Sequence, residues 1–446
     1  MKQILITGYI GYNNAGDEGI ARVITGHLRE RIPEVEITML SSNPPETAYA
    51  YGVRAIGWRD PVAIAEAVRH TDLTILGGGG LFQDYWGFDP TTILTRDHWG
   101  LSFYLSPALL SAIYAKPVML YAIGAGPLLS EYGRQYTKVA GDIASRIVVR
   151  DEGSKDLFIS LGVNPAKITV TGDPAFDLTP APDAAALDEV REWKSDGPAV
   201  AVCLRTWNFG ADSTFSDREI ARALDEFLDR EGGRLLFVAF EGGDDVYCAN
   251  RVAGQLRHKD RATVLTRWCS PETIAGILSN ASLVLGMRLH SVIFSLAAQV
   301  PVVALEYDPK VGALAELVGI RDFTLPFGGL DAHALSERMR QALRESPRLR
   351  ELGGKATAEM RVRARQTADI AAGLLNQAPA TIDYGPDTRD LIGRLVAAQI
   401  NLTEAMIKRV EACAEALGQP TVGIRPLAMA DAVVAKVKNL VGQALP

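Results

Sequence analysis

Residues 282–297 read SLVLGMRLHSVIFSLA, and residues 300–310 read VPVVALEYDPK. A short apolar run ends in a Gly-x-Arg-x-His turn, a helix-compatible run starts at the histidine, and a second apolar run follows. The pattern predicts strand, polar turn, helix and strand. In an open parallel sheet, ligands collect outside the carboxyl ends of the strands, where loops carry side chains and helix N-termini point free N–H groups at anions. Arg288 and His290 stand at such an end. Two residues apart in an extended segment, they project to one side while Leu289 turns to the core. A guanidinium beside an imidazole suits a small anion that must gain or lose a proton. A structural reading stands beside it, in which Arg288 pairs with a carboxylate and His290 caps the helix.

The rest of the chain repeats this alternation. Apolar runs at 4–7, 35–40, 73–76, 118–123, 147–149 and 168–171 are separated by helix-length segments at 18–31, 61–70, 103–115, 132–145 and 151–161. Such spacing implies βαβ units and a mainly parallel sheet. Between residues 178 and 197 the composition shifts to Pro, Ala and Asp, as in a linker. A second series then sets strands at 199–204, 235–240 and 262–265 against helices at 217–230, 244–257 and 271–280, and leads into the opening stretch.

The expected fold class is α/β, with two Rossmann-like domains facing a central cleft. They occupy residues 1–178 and 198–346, joined by a linker at 179–197 and followed by a long helical segment at 347–376 that packs back. A helical extension fills 377–446, where Leu402, Met406, Val410, Cys413 and Leu417 recur at helical spacing, as do Val433, Val437, Leu440 and Val441. Those stripes fit packing on the parent domain, on a second copy in a homo-oligomer, or peripherally on a membrane.

Composition narrows the function. With 446 residues, 48% hydrophobic and 22% charged, the chain can bury two cores. A net charge of -7 and a pI near 5.6 argue against a nucleic-acid partner, whose phosphates need a basic face. Cys203, Cys248, Cys269 and Cys413 lie far apart without a Cys-x-x-Cys pair, which suggests neither zinc nor a disulfide framework and fits a reducing compartment. The N-terminal apolar run is too short for a signal peptide, and the window 101–115 carries Ser102, Ser106, Pro107 and Ser111, so it does not read as a membrane span. A cytoplasmic location is expected.

Other polar turns follow first-domain strands. Residues 8–19, GYIGYNNAGDEG, lack G-x-G-x-x-G spacing and only loosely resemble a nucleotide-binding turn. Asn14 and Gly16 lie in this loop. Asp17 and Glu18 fall in the first helical turn, where carboxylates favour the dipole, unless one faces the cleft as a general base. Gly77, Gly78, Gly79 and Gly80 precede Gln83 and Asp84, and form either an anion nest or a tight strand-to-helix crossing. Gly124-Ala125-Gly126 is a similar turn. Arg150 and Arg205 each close a strand and could clamp a phosphate or carboxylate, although Asp151 and Glu152 offer Arg150 surface partners.

Together, residues 11–18, 77–84, 149–154, 172–176, 286–290 and 307–311 resemble the polysaccharide pyruvyl transferase family in order and spacing, over about residues 1–345. Gly153 departs from it, standing where a larger, often acidic residue is expected. The resemblance implies a fold like that of GT-B glycosyltransferases, with phosphoenolpyruvate as donor and a glycan or lipid-linked glycan as acceptor. It also implies that Arg288, Leu289 and His290 hold and activate the donor.

The donor is an enol ether bearing a carboxylate and a phosphate, so adding an alcohol at C2 requires a proton at C3. His290 is the expected acid. Arg288 binds the carboxylate or phosphate, and Arg205, Lys310 and Arg150 share the remaining charge. Asp17 or Glu18 deprotonates the sugar hydroxyl, and a neighbouring hydroxyl closes a cyclic ketal as phosphate leaves. The loop residues Asn14, Gly16, Gly78, Gly79, Gly80, Gln83 and Asp84 are expected on the acceptor or anion side. No cluster of His, Asp and Glu has metal-ligand spacing, so neither a metal nor another cofactor is demanded.

Two other functions fit the same pattern. A nucleotide-sugar glycosyltransferase would use Arg205 and Lys310 on a diphosphate, and a non-catalytic glycan-binding scaffold would assemble through the C-terminal helices. Tyr85, Trp86, Phe88, His98 and Trp99 could stack on pyranose rings or form a packed lid. A lipid-linked acceptor would bring the protein to the inner membrane face.

Overall fold

The computed structural model describes residues 1–181, 193, 197–207 and 213–376. The first domain runs β1 (Lys2–Thr7), α1 (Ala15–Arg31), β2 (Val35–Ser41), α2 (Pro44–Tyr51), β3 (Arg54–Gly57), α3 (Pro61–His70) and β4 (Leu73–Phe82). It continues through α4 (Leu101–Ile113), β5 (Val118–Ala125), α5 (Glu131–Ile143), β6 (Arg146–Val149), α6 (Glu152–Ser160) and β7 (Ile168–Val170). Its seven strands lie in the order β3-β2-β1-β4-β5-β6-β7, and every pairing is parallel.

The second domain holds β8 (Ala199–Cys203), α7 (Ser213–Glu231), β9 (Arg234–Val238), α8 (Gly242–Ala253), β10 (Ala262–Leu265), α9 (Pro271–Leu278) and β11 (Leu283–Gly286). Then come α10 (Leu289–Ala297), β12 (Val302–Glu306), α11 (Pro309–Leu317), β13 (Thr324–Pro326) and α12 (Ala332–Arg344). Its sheet order is β10-β9-β8-β11-β12-β13, again parallel throughout. Both sheets are thus doubly wound. Strand order reverses between β1 and β4 in one and between β8 and β11 in the other, and crevices open at those points.

A parallel sheet covered on both faces needs continuous apolar strands. Val118 to Ile123, Leu283 to Leu285 and Val303 to Leu305 are buried without interruption. Each large side chain so removed from water contributes about 1.5–3 kcal/mol. Helices begin directly beyond strand ends because cap residues stand there. Asn14, Asp151 and Asp308 accept backbone N–H bonds at the starts of α1, α6 and α11, the last reinforced by Pro309.

Four elements were not foreseen: α2, β3, α11 and β13. The two strands, RAIG and TLP, are short, hold one β-branched residue each and end in Gly or Pro, so they do not read as apolar runs. The glycine run was expected to end a strand, yet β4 passes through it to Phe82, with a register shift against β5 between Gly79 and Phe82. Gly78 and Gly79 have positive φ, and a side chain on either would collide with Ile20 or Asp17 of α1. The tight helix crossing, rather than ligand approach, accounts for these two glycines.

The last helix among the described residues, α13 (Ser346–Leu375), returns from the second domain to the first. Gly353 packs on Leu296 of α10, whereas Thr367 meets Thr171 at 2.8 Å and Arg365 binds Asp177 at 2.7 Å. The expected linker lies mostly outside the described residues, and the extension at 377–446 lies wholly outside them. Among the described residues no helix is long and apolar enough to cross a membrane.

Candidate active site

The carboxyl ends of the two sheets face each other across a cleft of about 460 Å³, lined by both domains. The α1 cap loop touches the second domain directly. Ala15 N–H donates to Phe240 O at 2.6 Å, the Tyr9 hydroxyl lies 3.3 Å from Glu241 Oε1, and Trp268 Nε1 donates to Asn13 O at 3.2 Å.

In this loop Asn14 serves as the cap, with its side-chain oxygen 3.0 Å from Gly16 N. Asp17 and Glu18 part company one residue later. Glu18 is buried, accepting from Gly11 N at 2.7 Å and from the Tyr51 hydroxyl, and is turned away from the cleft. Asp17 lines the cleft. Burial, opposed by His290 and reinforced by Glu241, pushes its carboxyl up to about 7. Of the two carboxylates offered as a base, only Asp17 faces the cleft.

Helix α10 starts at Leu289, with Arg288 as its cap residue, so the segment from Leu289 is helical rather than extended. Successive side chains therefore rotate about the axis, and Arg288 and His290 do not project together. Arg288 is buried and points at its own domain, with Nε 2.9 Å from Asp245 Oδ2 and Nη2 2.6 Å from both Asp245 Oδ1 and Glu241 Oε2. Burial works against its charge, but Asp245 and Glu241 outweigh it and hold the guanidinium protonated. His290 faces the first domain, where Nε2 lies 3.6 Å from Asp173 Oδ2. Leu289 is buried yet borders the cleft.

The remaining cations differ in how far they are neutralised. Arg150, 7% exposed, is bound by Asp173 at 2.9 Å, with Asp151 at 3.7 Å. Lys310, at the start of α11, lies 3.2 Å from Asp308 and over the Tyr307 ring. Arg205 is set among aromatic rings, its guanidinium carbon 5.2 Å from the Trp207 centroid, 5.3 Å from Tyr307 and 5.9 Å from Trp86. Its only hydrogen bond among the described residues is a long one to the Tyr307 hydroxyl, 3.4 Å, and its buried Nε has no partner. No carboxylate among the described residues pairs with it.

The glycine loop divides. Gly80 lines the cleft, with Arg150 close by, and Gln83 also lines it with a buried Oε1 that has no hydrogen-bond partner. Asp84 points elsewhere, accepting from Leu129 N at 2.5 Å and Ser130 N at 2.8 Å at the start of α5. Tyr85, Trp86, His98 and Trp99 border the cleft, whereas Phe88 packs on Tyr136. His98 is buried and stacks on Trp58 at 5.2 Å, as a lid residue would.

Asp173, Glu241 and Asp245 received no role from the sequence. Asp173 sits in the Gly172-Asp173-Pro174 turn, whose only signal in the sequence is the family resemblance. The others follow β9 in Glu241-Gly242-Gly243-Asp244-Asp245, another strand, glycine turn and acidic helix start of the kind seen after β1. Among the described residues, no group of three or more His, Cys, Asp or Glu side chains is arranged to hold a metal.

Fold and cleft together define a GT-B-like protein of two Rossmann-like domains. The Anabaena protein HepE solved with UDP-glucose shares the fold, with a TM-score of 0.57, 14% identity and coverage of 84% of this chain and 98% of that one. The Neisseria meningitidis UDP-GlcNAc 2-epimerase bound to UDP-GlcNAc gives a TM-score of 0.56 at 10% identity, over 84% and 100%. Residues 14–309, more than half of the sequence, match the polysaccharide pyruvyl transferase family, and the chain belongs to it. The amylovoran biosynthesis protein AmsJ of Erwinia amylovora is 20% identical over 374 residues, 71% of this chain and 86% of that protein.

Proposed function

We propose that this enzyme transfers a pyruvyl group from phosphoenolpyruvate to a hydroxyl pair of a glycan or glycan precursor, forming a pyruvate ketal and releasing phosphate, in exopolysaccharide or cell-surface polysaccharide biosynthesis. The observation that carries the reading is Arg205, a cation without a carboxylate partner among the described residues, in the same cleft as Lys310, His290 and Asp17. A donor with a phosphate and a carboxylate needs such charge. The family supports pyruvyl transfer, and the likeness to an amylovoran biosynthesis protein supports a polysaccharide acceptor.

Arg205 and Lys310 hold the donor's anionic groups, with Arg150 and Arg288 at the edges of the site. His290 gives a proton to C3, and the electron-poor C2 receives an acceptor oxygen whose proton passes to Asp17. A base poised near the working pH is efficient at this step, and burial has brought Asp17 to about 7. Loss of phosphate then lets the second hydroxyl close the ketal, its proton leaving with the phosphate.

UDP ligands in the fold relatives favour nucleotide-sugar transfer as the second reading. Calorimetric titration with phosphoenolpyruvate beside UDP-sugars separates the two. Binding of phosphoenolpyruvate alone supports pyruvyl transfer, and binding of a UDP-sugar alone overturns it. Phosphate release, assayed with a panel of aryl hexopyranosides, is expected to fall at least about 100-fold in His290→Ala.

A further inference from the structure

His290 is held along both edges of its ring. Nε2 is buried, has no hydrogen-bond partner, and lies 3.6 Å from Asp173 Oδ2. Nδ1 lies against Gly16 of α1, where a side chain of any size would collide with it. Asp173 is itself fixed, since Oδ1 accepts from Ala175 N at 3.0 Å and Oδ2 from Arg150 Nη1 at 2.9 Å. It is 4% exposed. The proposed reaction gives this buried carboxylate no bond to make.

We infer that Asp173 is a positioning residue for His290: it keeps Nε2–H turned inward, so that Nδ1, seated where a side chain at residue 16 would otherwise stand, is the nitrogen that passes the proton to the donor. This deepens the pyruvyl-transfer reading and rests on it. In the step itself, the Nδ1–H bond breaks as the C2=C3 π pair forms a new C3–H bond. C2 is left electron-poor and takes the acceptor oxygen's lone pair, while the ring is left neutral with its remaining proton on Nε2, beside Asp173. Burial pushes Asp173 up, but His290 and Arg150 outweigh it and hold the carboxyl well below its usual range, so it stays an anion. A histidine whose far nitrogen faces a fixed carboxylate keeps one tautomer and one orientation, and an Asn in place of that carboxylate upsets the tautomer while leaving the geometry intact.

The test is long-range nitrogen–proton NMR on the full chain labelled with nitrogen-15 histidine, with the His290 signals identified by their loss in His290→Gln. The neutral ring of the wild-type protein is expected to carry its proton on Nε2, and Asp173→Asn is expected to move population to Nδ1. In that variant, kcat for phosphate release should fall about 100-fold, with KM for phosphoenolpyruvate within about threefold. The double variant with His290→Ala should lose no more than His290→Ala alone, because the two residues act as one unit. A wild-type neutral ring protonated on Nδ1, or fully additive losses, overturns the inference. If Asp173→Asn fails to fold, the wild-type spectrum still decides. Undiminished turnover in His290→Ala instead overturns the pyruvyl-transfer mechanism, whatever the tautomer.

Discussion

Arg205 and Arg288 leave the carboxyl ends of adjacent strands, β8 and β11, and both border the same cleft. Their surroundings are opposite. Arg288 meets two carboxylates, one of them through two bonds, whereas Arg205 meets aromatic faces and no carboxylate among the described residues. An aromatic ring attracts a cation without cancelling its charge, and a carboxylate cancels it. Position at a strand end therefore brings an arginine to the cleft, but its neighbours decide whether any charge remains for a ligand. Arg288 is neutralised within its own domain, and Arg205 keeps an uncancelled charge in the cleft.

The comparison is tested most severely at Arg288. Arg288→Met strands the buried Asp245 carboxylate and should cost about 3–5 kcal/mol of folding stability, measured by denaturant unfolding. A loss below about 1 kcal/mol would mean that its pairs are dispensable and its charge available after all. Next comes Arg205→Gln, expected to weaken phosphoenolpyruvate binding about 10-fold to 100-fold, roughly the contribution of one charged hydrogen bond. Its unfolding midpoint should shift by less than about 1 kcal/mol, the scale of the lost ring contacts. Were the two variants to exchange these outcomes, the assignment of the arginines would be reversed.

The last prediction concerns Asp17, whose effect is spread over a range of pH. Folded Asp17 keeps its proton up to about pH 7, whereas the unfolded chain releases it near 3.8. Between those values the folded state binds more protons, so this group's stabilising contribution falls as pH rises, by at most about 1.4 kcal/mol per unit. Above about 7 it levels off. Asp17→Asn should flatten that part of the stability profile, and should also abolish the rise of turnover through about pH 7 that its ionised form supplies as base. A variant with an unchanged pH–rate profile would move the base elsewhere in the cleft.

Both parallel sheets were legible because their central strands are short apolar runs punctuated by glycine and cap residues, as at Leu285-Gly286 and Asp151. The edge elements β3 and β13 were not, since RAIG and TLP each hold a single β-branched residue and end in Gly or Pro, unlike the equally short ITV of β7. The candidate site was legible as residue types at strand ends, which brought Arg205, Arg288, His290 and Asp17 to one cleft. What the sequence withheld was direction. A helix that starts at Leu289 turns Arg288 and His290 apart, and Glu18 rotates inward to Tyr51 while Asp17 stays outside. Partners far along the chain decided the rest, as Asp173 does for His290 across the interdomain gap.

Helix α13 gives the chain a there-and-back itinerary that matters for protein engineering. Its Ala364, Ala368 and Ala371 are fully buried, and Arg361 and Arg365 reach Phe176 O and Asp177. A gene cut between the two sheets would thus separate the first domain from part of its own covering. A chimera that exchanges one domain between relatives must carry residues 1–181 together with 346–376 from one parent and only the intervening sheet from the other.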